Sequence, residues 1–200
     1  MTNLSMESLF QYIEIFAMVT GILYVVLEIL QKNSMWVVGI LTASACAFSF
    51  GAQHIWASMG LNLYYVGMSV LGFIQWRKAG QQVGEGEIHL QVLPKKVGVW
   101  SVVLFFVGSL VLIQVLRATG DAQPFLDAVA TVLSIIGTWW LAQSYLQQWL
   151  LWILADILTT SLCIVTGQYW LACLYLAYIA SAVYGYFHWK KKGKYLTLPE

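Results

Sequence analysis

Apolar runs of about twenty residues follow one another along almost the whole chain, separated by short polar breaks. A helix needs about 20 apolar residues to cross the hydrocarbon layer, where only helices and closed barrels satisfy their backbone hydrogen bonds. The runs are continuous and lack the alternation of a barrel strand. We therefore predict an all-α membrane protein with seven transmembrane helices, at about 10–30, 35–52, 55–76, 97–116, 123–143, 148–166 and 169–189.

The composition agrees with a membrane protein and excludes several other classes. Of the 200 residues, 60% are hydrophobic and only 10% are charged, whereas soluble domains carry about 25% charged residues. A net charge of +1 is too weak to hold a nucleic acid. Cys46, Cys163 and Cys173 lie within apolar runs without the spacing of a zinc site. We therefore predict no bound metal and no cofactor.

The basic residues predict the orientation in the bilayer. If the N-terminus lies outside, nine of the 10 Lys and Arg residues are cytoplasmic and only Arg117 is outside. This asymmetry favours an outer N-terminus and a cytoplasmic C-terminus. Because the first apolar run has full length and residues 1–8 lack Lys and Arg, we expect it to be a helix and not a cleaved signal peptide. Residues 77–96 are predicted to be a flexible cytoplasmic linker, and residues 190–200 a basic cytoplasmic tail.

The two halves of the chain resemble each other when the sequence is shifted by 113 residues without a gap. The shift aligns identical aromatic and glycine residues: Trp36 with Trp149, Tyr65 with Tyr178, Gly72 with Gly185, and Trp76 with Trp189. Such matches at one offset indicate an internal repeat. Residues 10–76 and 123–189 then form two three-helix repeats, and the single helix at 97–116 restores the direction of the chain. The predicted architecture is 3+1+3 with parallel repeats, as in transporters that bind substrate near the midplane.

Four acidic residues lie within or near the ends of predicted spans. An acidic residue at a helix centre costs about 2.5–3.5 kcal/mol on insertion scales, so each one is a functional candidate. We expect Glu28, near the end of the first helix, to reach the headgroups. Glu14 and Asp127 lie about one turn inside their helices, where caps, gate groups and interhelical hydrogen-bond partners remain open alternatives.

Asp156 lies close to the midplane, eight residues into the sixth helix. Trp149, Trp152 and Asp156 have i, i+3, i+7 spacing and therefore share one helix face. Two indole rings and a carboxylate on one stripe are suited to a flat organic cation. For Trp149, a membrane-interface role is an equal alternative.

Further polar and aromatic residues are candidates for the same substrate site. On the third and seventh helices, Asn62, Tyr175 and Tyr178 are candidates either for ligand contact or for hydrogen bonds between helices. Tyr65 and Trp36, which align with Tyr178 and Trp149 in the repeat, complete the predicted set. Trp76 and Trp189 each precede a basic residue, and we expect them to be anchors at the cytoplasmic interface.

The sequence does not predict an enzyme. It shows no nucleophile–base pair, no HExxH motif and no Walker-type glycine-rich loop, so we name no catalytic residue. The remaining classes are a small-molecule transporter, a channel and a membrane interaction protein.

The segment Trp149-Leu-Leu-Trp152-Ile-Leu-Ala-Asp156 resembles the WxxWxxx[N/D] motif of the PnuC-type vitamin transporters. Met59-Gly-Leu-Asn62-x-x-Tyr65 is similar to that family's third helix, and Leu174-Tyr175-x-x-Tyr178 to its last. The acidic residue at position 156 and the tyrosines of the last helix are more similar to the thiamine-transporting branch, called PnuT. Nicotinamide riboside members tend to carry Asn at that position.

The resemblance implies a fold like a full-length SWEET protein, in a homotrimer in the bacterial inner membrane. It also implies facilitated diffusion (uniport) of a vitamin, which a cytoplasmic kinase then traps by phosphorylation. Trp149, Trp152 and Asp156 would line the site. The predicted substrate is thiamine. The alternatives are nicotinamide riboside with the same mechanism and, from another class, a non-transporting membrane interaction protein.

Overall fold

A computed structural model describes residues 3–54, 56–84 and 87–196. The side chains of residues 3–7, 14, 56, 57 and 83 are outside this description, so the predicted role of Glu14 lies outside the described residues. Over the described range the chain forms seven helices and two short strands. They are α1 (Asn3–Ile29), α2 (Ser34–Ala52), α3 (Trp56–Val83), β1 (His89–Leu90), α4 (Lys95–Ala118), α5 (Pro124–Ala142), α6 (Gln148–Val165), α7 (Tyr169–Lys192) and β2 (Lys194–Tyr195).

The helix breaks fall at the predicted polar and glycine positions. Six helices are followed by a residue with positive φ, namely Gln31 after α1, His54 after α2, Gly84 after α3, Gly120 after α4, Ser144 after α5 and Gly167 after α6. After α6, for example, the backbone N–H of Gln168 donates to the carbonyl of Cys163 over 2.7 Å. This bond, from residue i to residue i−5, is typical of the Schellman motif at the C-terminal end of a helix. It pairs a carbonyl group that would have no partner within the helix.

Two helices are longer than their apolar runs predicted. Helix α1 begins at Asn3, well before residue 10, and α3 continues to Val83, beyond residue 76. The extension of α3 contains Arg77, Lys78 and two glutamines, which have good helix propensity in water. The end of an apolar run therefore did not predict where these helices begin or end.

Six of the seven helices are long and apolar enough to cross a membrane, counted over the described residues. Helix α3 is the exception, although it has 28 residues. Its Asn62, Ser69 and Gln75, together with two adjacent tyrosines, lower its hydropathy. Helix α4 is the most apolar of the six and exposes Trp100, Phe106 and Leu110. A face of this kind belongs in lipid or against another protein.

The described helices divide into two compact units, Met1–Glu87 and Ile88–Glu200. In the first unit, α2 packs against both α1 and α3. In the second unit, α6 packs against both α5 and α7, and α4 packs against α5. The middle helix of each triplet therefore holds its two neighbours together.

The same tryptophan–glycine–tryptophan contact occurs inside each unit. In the first unit, the buried ring of Trp36 lies 5.1 Å from that of Trp76, at 76°. In the second, Trp149 and Trp189 are 5.3 Å apart at 86°. A glycine makes room for each central ring, because a Cβ atom at Gly72 would overlap Trp36 and one at Gly185 would lie 2.5 Å from Trp149. Trp76 and Trp189 are 3% and 0% exposed. The prediction that they are interfacial anchors is therefore wrong, because they pack inside the units.

Part of the predicted flexible linker is ordered. Strands β1 and β2 pair in parallel, and the Lys194 and Leu196 amides donate to the carbonyls of Ile88 and Leu90 at 2.8 and 2.9 Å. Gln91 bridges to Tyr145 in the turn before α6. We call residues 88–91, 144–145 and 193–196 the cap. The side chains of Ile88, His89 and Leu90 are buried, so the prediction of a flexible linker is wrong for these residues.

We expect Gly72→Ala and Gly185→Ala each to destabilise the protein by about 1–3 kcal/mol, the usual cost of overpacking. The added methyl group has no room beside the Trp36 or Trp149 ring. Thermal unfolding of the purified protein in detergent measures the effect. Gly67→Ala on α3 is the matched control, since nothing lies within 4 Å of a Cβ atom there. An equal loss in all three variants would contradict the proposed close contact.

We expect the cap to open as the pH falls. Burial lowers the pKa of His89 from 6.5 to about 4, so the folded cap holds a neutral imidazole while the opened cap takes up a proton. The stability of the cap is therefore fully present above about pH 6.5 and is lost progressively between pH 6.5 and 4. Protection of the Lys194 and Leu196 amides from hydrogen exchange, corrected for the intrinsic rate, reports this opening.

His89→Gln should remove the pH dependence of that protection, because glutamine does not titrate in this range. His54→Gln, at an exposed position in the first unit, should retain it. Protection that falls equally with pH in the His89→Gln protein would show that another group controls the cap.

Candidate functional site

Helix α6 carries the residues that the sequence singled out. Asp156 is the ninth residue of its 18, about 12 Å from the start at 1.5 Å per residue. Its side chain is 8% exposed. The structure thus places a buried carboxyl group at the middle of an apolar helix, where an ionisable residue has to be explained by function or by a specific partner.

The two tryptophans of the motif have different surroundings. Trp149 is 1% exposed and packs against Trp189 and Gly185, which gives it a packing role within the second unit. Trp152 is half-buried and lies against α5, where its Cε2 is 3.5 Å from the position of a Cβ atom on Gly137. Its indole N–H is buried and has no hydrogen-bond partner. Trp152 therefore retains a donor for a ligand.

The acid–tyrosine cluster surrounds the middle of α6. We define it as Asp127, Asp156, Tyr175 and Tyr178. The phenol of Tyr175 interacts electrostatically with both carboxyl groups, and Tyr178 interacts with Asp156. The two tyrosine rings are 5.8 Å apart at 85°. Three helices, α5, α6 and α7, thus bring two acids and two hydroxyl groups to one region of the second unit.

Asp127 lies in the first turn of α5, behind Pro124. A carboxylate there is stabilised by the positive end of the helix dipole, and it also interacts with the side chains of Thr131 and Asp121. It also interacts electrostatically with Tyr175. Asp127 therefore lies at the positive end of α5 and within electrostatic range of Tyr175.

The remaining predicted site residues lie in the first unit. Trp36 is 0% exposed and packs as Trp149 does. The amide of Asn62 donates to the carbonyl of Ser58 over 2.9 Å, one turn earlier on α3. The ring of Tyr65 lies beside that of Tyr64, with 5.7 Å between the ring centroids and an angle of 56° between the ring planes. For Asn62, the described hydrogen bond is within its own helix.

Glu28 and Gln148 are buried polar residues that the sequence did not mark as site residues. Glu28 is 4% exposed and interacts with Tyr24, so the expectation that it reaches the headgroups is wrong. Gln148 is 0% exposed and is the first residue of α6. Its i, i+4, i+8 spacing with Trp152 and Asp156 is the signal that would have identified it.

The chemistry available here is recognition of an organic molecule. Within the described part of the chain, no group of three or more His, Cys, Asp or Glu side chains is arranged to hold a metal ion. The second unit instead offers an aromatic face, a buried carboxyl group and several hydroxyl or N–H groups. This combination suits a flat, cationic molecule that also carries hydroxyl groups.

Comparison with known proteins covers nearly the whole chain. The family model described as nicotinamide mononucleotide transporter matches residues 11–191. The nicotinamide riboside transporter PnuC of Neisseria mucosa is 35% identical over 188 residues, which are 89% of this chain and 72% of that protein. The PnuC of Haemophilus influenzae is 30% identical over 88% of this chain and 78% of that protein. A crystal structure of the vitamin B3 transporter PnuC matches with a TM-score of 0.70 and 30% identity, over 96% of this chain and 92% of that one.

These similarities confirm the resemblance to the PnuC family and the all-helical membrane fold. They do not support the preference for the thiamine branch, since the relatives are named as nicotinamide riboside transporters. Thiamine and nicotinamide riboside are both aromatic cations, so the carboxyl group of Asp156 did not distinguish them. The chain belongs to the PnuC family, whose family model is described as nicotinamide mononucleotide transporter.

Proposed function

We propose that this protein transports nicotinamide riboside across the membrane. The observation that carries the proposal is the buried carboxyl group of Asp156 together with the half-buried Trp152 one turn earlier on α6, in a chain that is 35% identical to a nicotinamide riboside transporter. Nicotinamide riboside is a flat pyridinium cation joined to a ribose. Each of its parts has a counterpart in this region of the second unit.

The pyridinium ring is the part that an aromatic face and a carboxylate recognise. A cation over an indole ring is attracted by about 0.5–2 kcal/mol, and more strongly when water is excluded. Trp152 supplies that ring, and its N–H remains available to an acceptor on the ligand. Asp156 supplies the counter-charge, while the hydroxyl groups of Tyr175 and Tyr178 are suited to the ribose.

The charge of the cluster favours the riboside over the mononucleotide. Asp127 and Asp156 both interact with Tyr175, so a phosphate brought to this region would face two carboxyl groups. Like charges at short range repel each other, most strongly in a region of low dielectric constant. The basic residues of α7, Lys190, Lys191 and Lys192, lie in its last turn, far along the helix from Tyr175.

The rest of the proposal follows from the family resemblance and from the charge pattern. Transport is facilitated diffusion, without an ion gradient, and a cytoplasmic kinase traps the vitamin by phosphorylation. The N-terminus faces outward and the C-terminus faces the cytoplasm of a bacterial cell, as the distribution of Lys and Arg predicts. The functional assembly is a homotrimer.

The architecture belongs to the same proposal: two parallel three-helix repeats joined by α4, as in full-length SWEET proteins. The matched contacts of Trp36, Gly72 and Trp76 in one unit and of Trp149, Gly185 and Trp189 in the other support it. Each contact joins the second helix of a triplet to the third. These three pairs of residues, which correspond by the 113-residue shift, therefore make corresponding contacts.

With the membrane potential held at zero, we expect purified protein in liposomes to take up nicotinamide riboside until the inner and outer concentrations are equal. A uniporter moves its substrate only down the electrochemical gradient of that substrate, so a proton or sodium concentration gradient imposed at zero membrane potential should leave this end point unchanged. Uptake of radiolabelled ligand, with nicotinamide mononucleotide and thiamine as comparison substrates, measures this. Both comparison compounds should enter much more slowly.

Each alternative has its own outcome in this assay. Absence of uptake for all three compounds would favour a non-transporting membrane protein. Faster uptake of thiamine would contradict the proposed substrate, and accumulation driven by a proton or sodium gradient at zero membrane potential would contradict uniport. Empty liposomes and liposomes reconstituted with heat-treated protein provide the background.

We expect Asp156→Ala to weaken the binding of nicotinamide riboside by at least about tenfold, equivalent to about 1.4 kcal/mol. Asp156→Asn should weaken binding less, because it removes the counter-charge but keeps one acceptor oxygen. Titration followed by tryptophan fluorescence measures the affinity. Ser161→Ala is the control, at an exposed position on the same helix. Affinity unchanged in Asp156→Ala would make Asp156 a structural residue.

A further inference from the structure

The side-chain amide of Gln148 is fully buried, and neither of its polar atoms has a partner. The residue is 0% exposed, and both Nε2 and Oε1 lack hydrogen bonds. Oε1 of Gln147 and the indole N–H of Trp152 are also buried without partners. Buried polar groups are nearly always hydrogen-bonded, so a concentration of exceptions within six residues requires an explanation.

The missing hydrogen bonds are those of the side chains, whereas the backbone groups at the start of α6 have partners. The backbone N–H of Gln148 donates to the carbonyl of Tyr145 over 3.1 Å, and that of Leu150 to Gln147 over 3.0 Å. The first turn of α6 is therefore supplied with backbone partners. What remains is an amide that offers one acceptor and two donor hydrogens, with none of them used.

Packing alone does not call for a glutamine here. The 113-residue shift aligns Gln148 with Met35, which stands directly before Trp36 as Gln148 stands directly before Trp149. Met35 is also 0% exposed. A side chain of similar length without hydrogen-bonding groups thus fills the corresponding buried position in the first unit. The two positions differ in that Gln148 is polar and Met35 is not, so the amide group of Gln148 is not needed to fill the space.

Gln148 continues the stripe on which the proposed substrate lies. Gln148, Trp152 and Asp156 follow each other at intervals of four residues, so they lie along one side of α6. The three span about 12 Å at 1.5 Å per residue. That length accommodates a small nucleoside placed along the helix, with its aromatic ring at Trp152 and its two ends near Gln148 and Asp156.

We propose that Gln148 recognises the carboxamide group of the substrate. A primary carboxamide and a glutamine side chain are complementary head to tail: Nε2 donates to the carboxamide oxygen, and Oε1 accepts from the carboxamide N–H. The two hydrogen bonds satisfy both unpaired atoms of Gln148 at once. This inference rests on the proposed function, and it adds the residue that distinguishes a carboxamide-bearing pyridinium from other aromatic cations.

The test compares two ligands and two proteins. Nicotinamide riboside and 3-acetylpyridine riboside have the same pyridinium charge and ribose, but the acetyl group has a methyl where the carboxamide has an N–H donor group. Wild-type protein should bind nicotinamide riboside about tenfold more tightly than the acetyl analogue. In Gln148→Met, the affinity for nicotinamide riboside should fall about 10- to 100-fold, and the two ligands should bind equally.

Stability distinguishes recognition from a structural role. Since Gln148→Met removes an unpaired buried amide and uses the residue found at position 35, the melting temperature without ligand should be unchanged or higher. Gln168→Met replaces an exposed glutamine of the same unit and should change neither affinity nor ligand preference. A Gln148→Met protein that is less stable but keeps the wild-type preference would assign Gln148 to an internal hydrogen-bond network and overturn the inference.

The outcome also separates the inference from the proposed function. If wild-type protein fails to bind nicotinamide riboside, the proposed function fails and the inference fails with it. If wild-type protein binds it and Gln148→Met keeps the tenfold preference over the acetyl analogue, the proposed function stands and the role of Gln148 is refuted.

Discussion

The close approach of an indole ring to a glycine backbone is the contact on which each unit depends. Within a bilayer, lipid tails are as apolar as leucine, so helices associate through tight packing and not through the hydrophobic effect. Gly72 and Gly185 permit a ring to reach the neighbouring backbone, and a second tryptophan then meets that ring at a steep angle. For α6 this contact has a chemical consequence. Because Trp149 is held against α7, the helix cannot rotate freely, and the directions of Gln148, Trp152 and Asp156 are determined with it.

Local chemistry made much of the fold predictable. Glycine and polar residues marked the helix breaks, and the isolated acid at 156 correctly predicted a buried carboxyl group at the middle of a helix. Predictions failed where one pattern has two structural meanings. A tryptophan next to a lysine at a helix end is typical of a membrane interface, but the same pattern occurs when the ring turns inward, as Trp76 and Trp189 do. Likewise, Glu28 stands near the end of α1 yet is covered by its unit.

The candidate site was less predictable than the fold because its properties are relations between distant residues. Spacing along α6 made Trp152 and Asp156 candidates together with Trp149, and it did not single out Gln148. Only the structure shows that the ring of Trp149 packs against that of Trp189, and that the side-chain amide of Gln148 has no hydrogen-bond partner. The same limit applied to the substrate. A carboxylate and an aromatic ring indicate an aromatic cation, whereas the distinction between vitamins depends on hydrogen bonds to their substituents.

The cap closes the second unit on itself. Residues at its beginning, 88–90, are hydrogen-bonded to residues at its end, 194–196, so the first and last segments of this unit lie side by side. The segment before the first helix of this unit is therefore close to the segment after its last helix. Joining those ends and opening the chain at an exposed turn, such as the one around Gly120, would create a circular permutant in which the same helices contact each other. In this unit, the order of the helices in space is independent of the point at which the polypeptide begins.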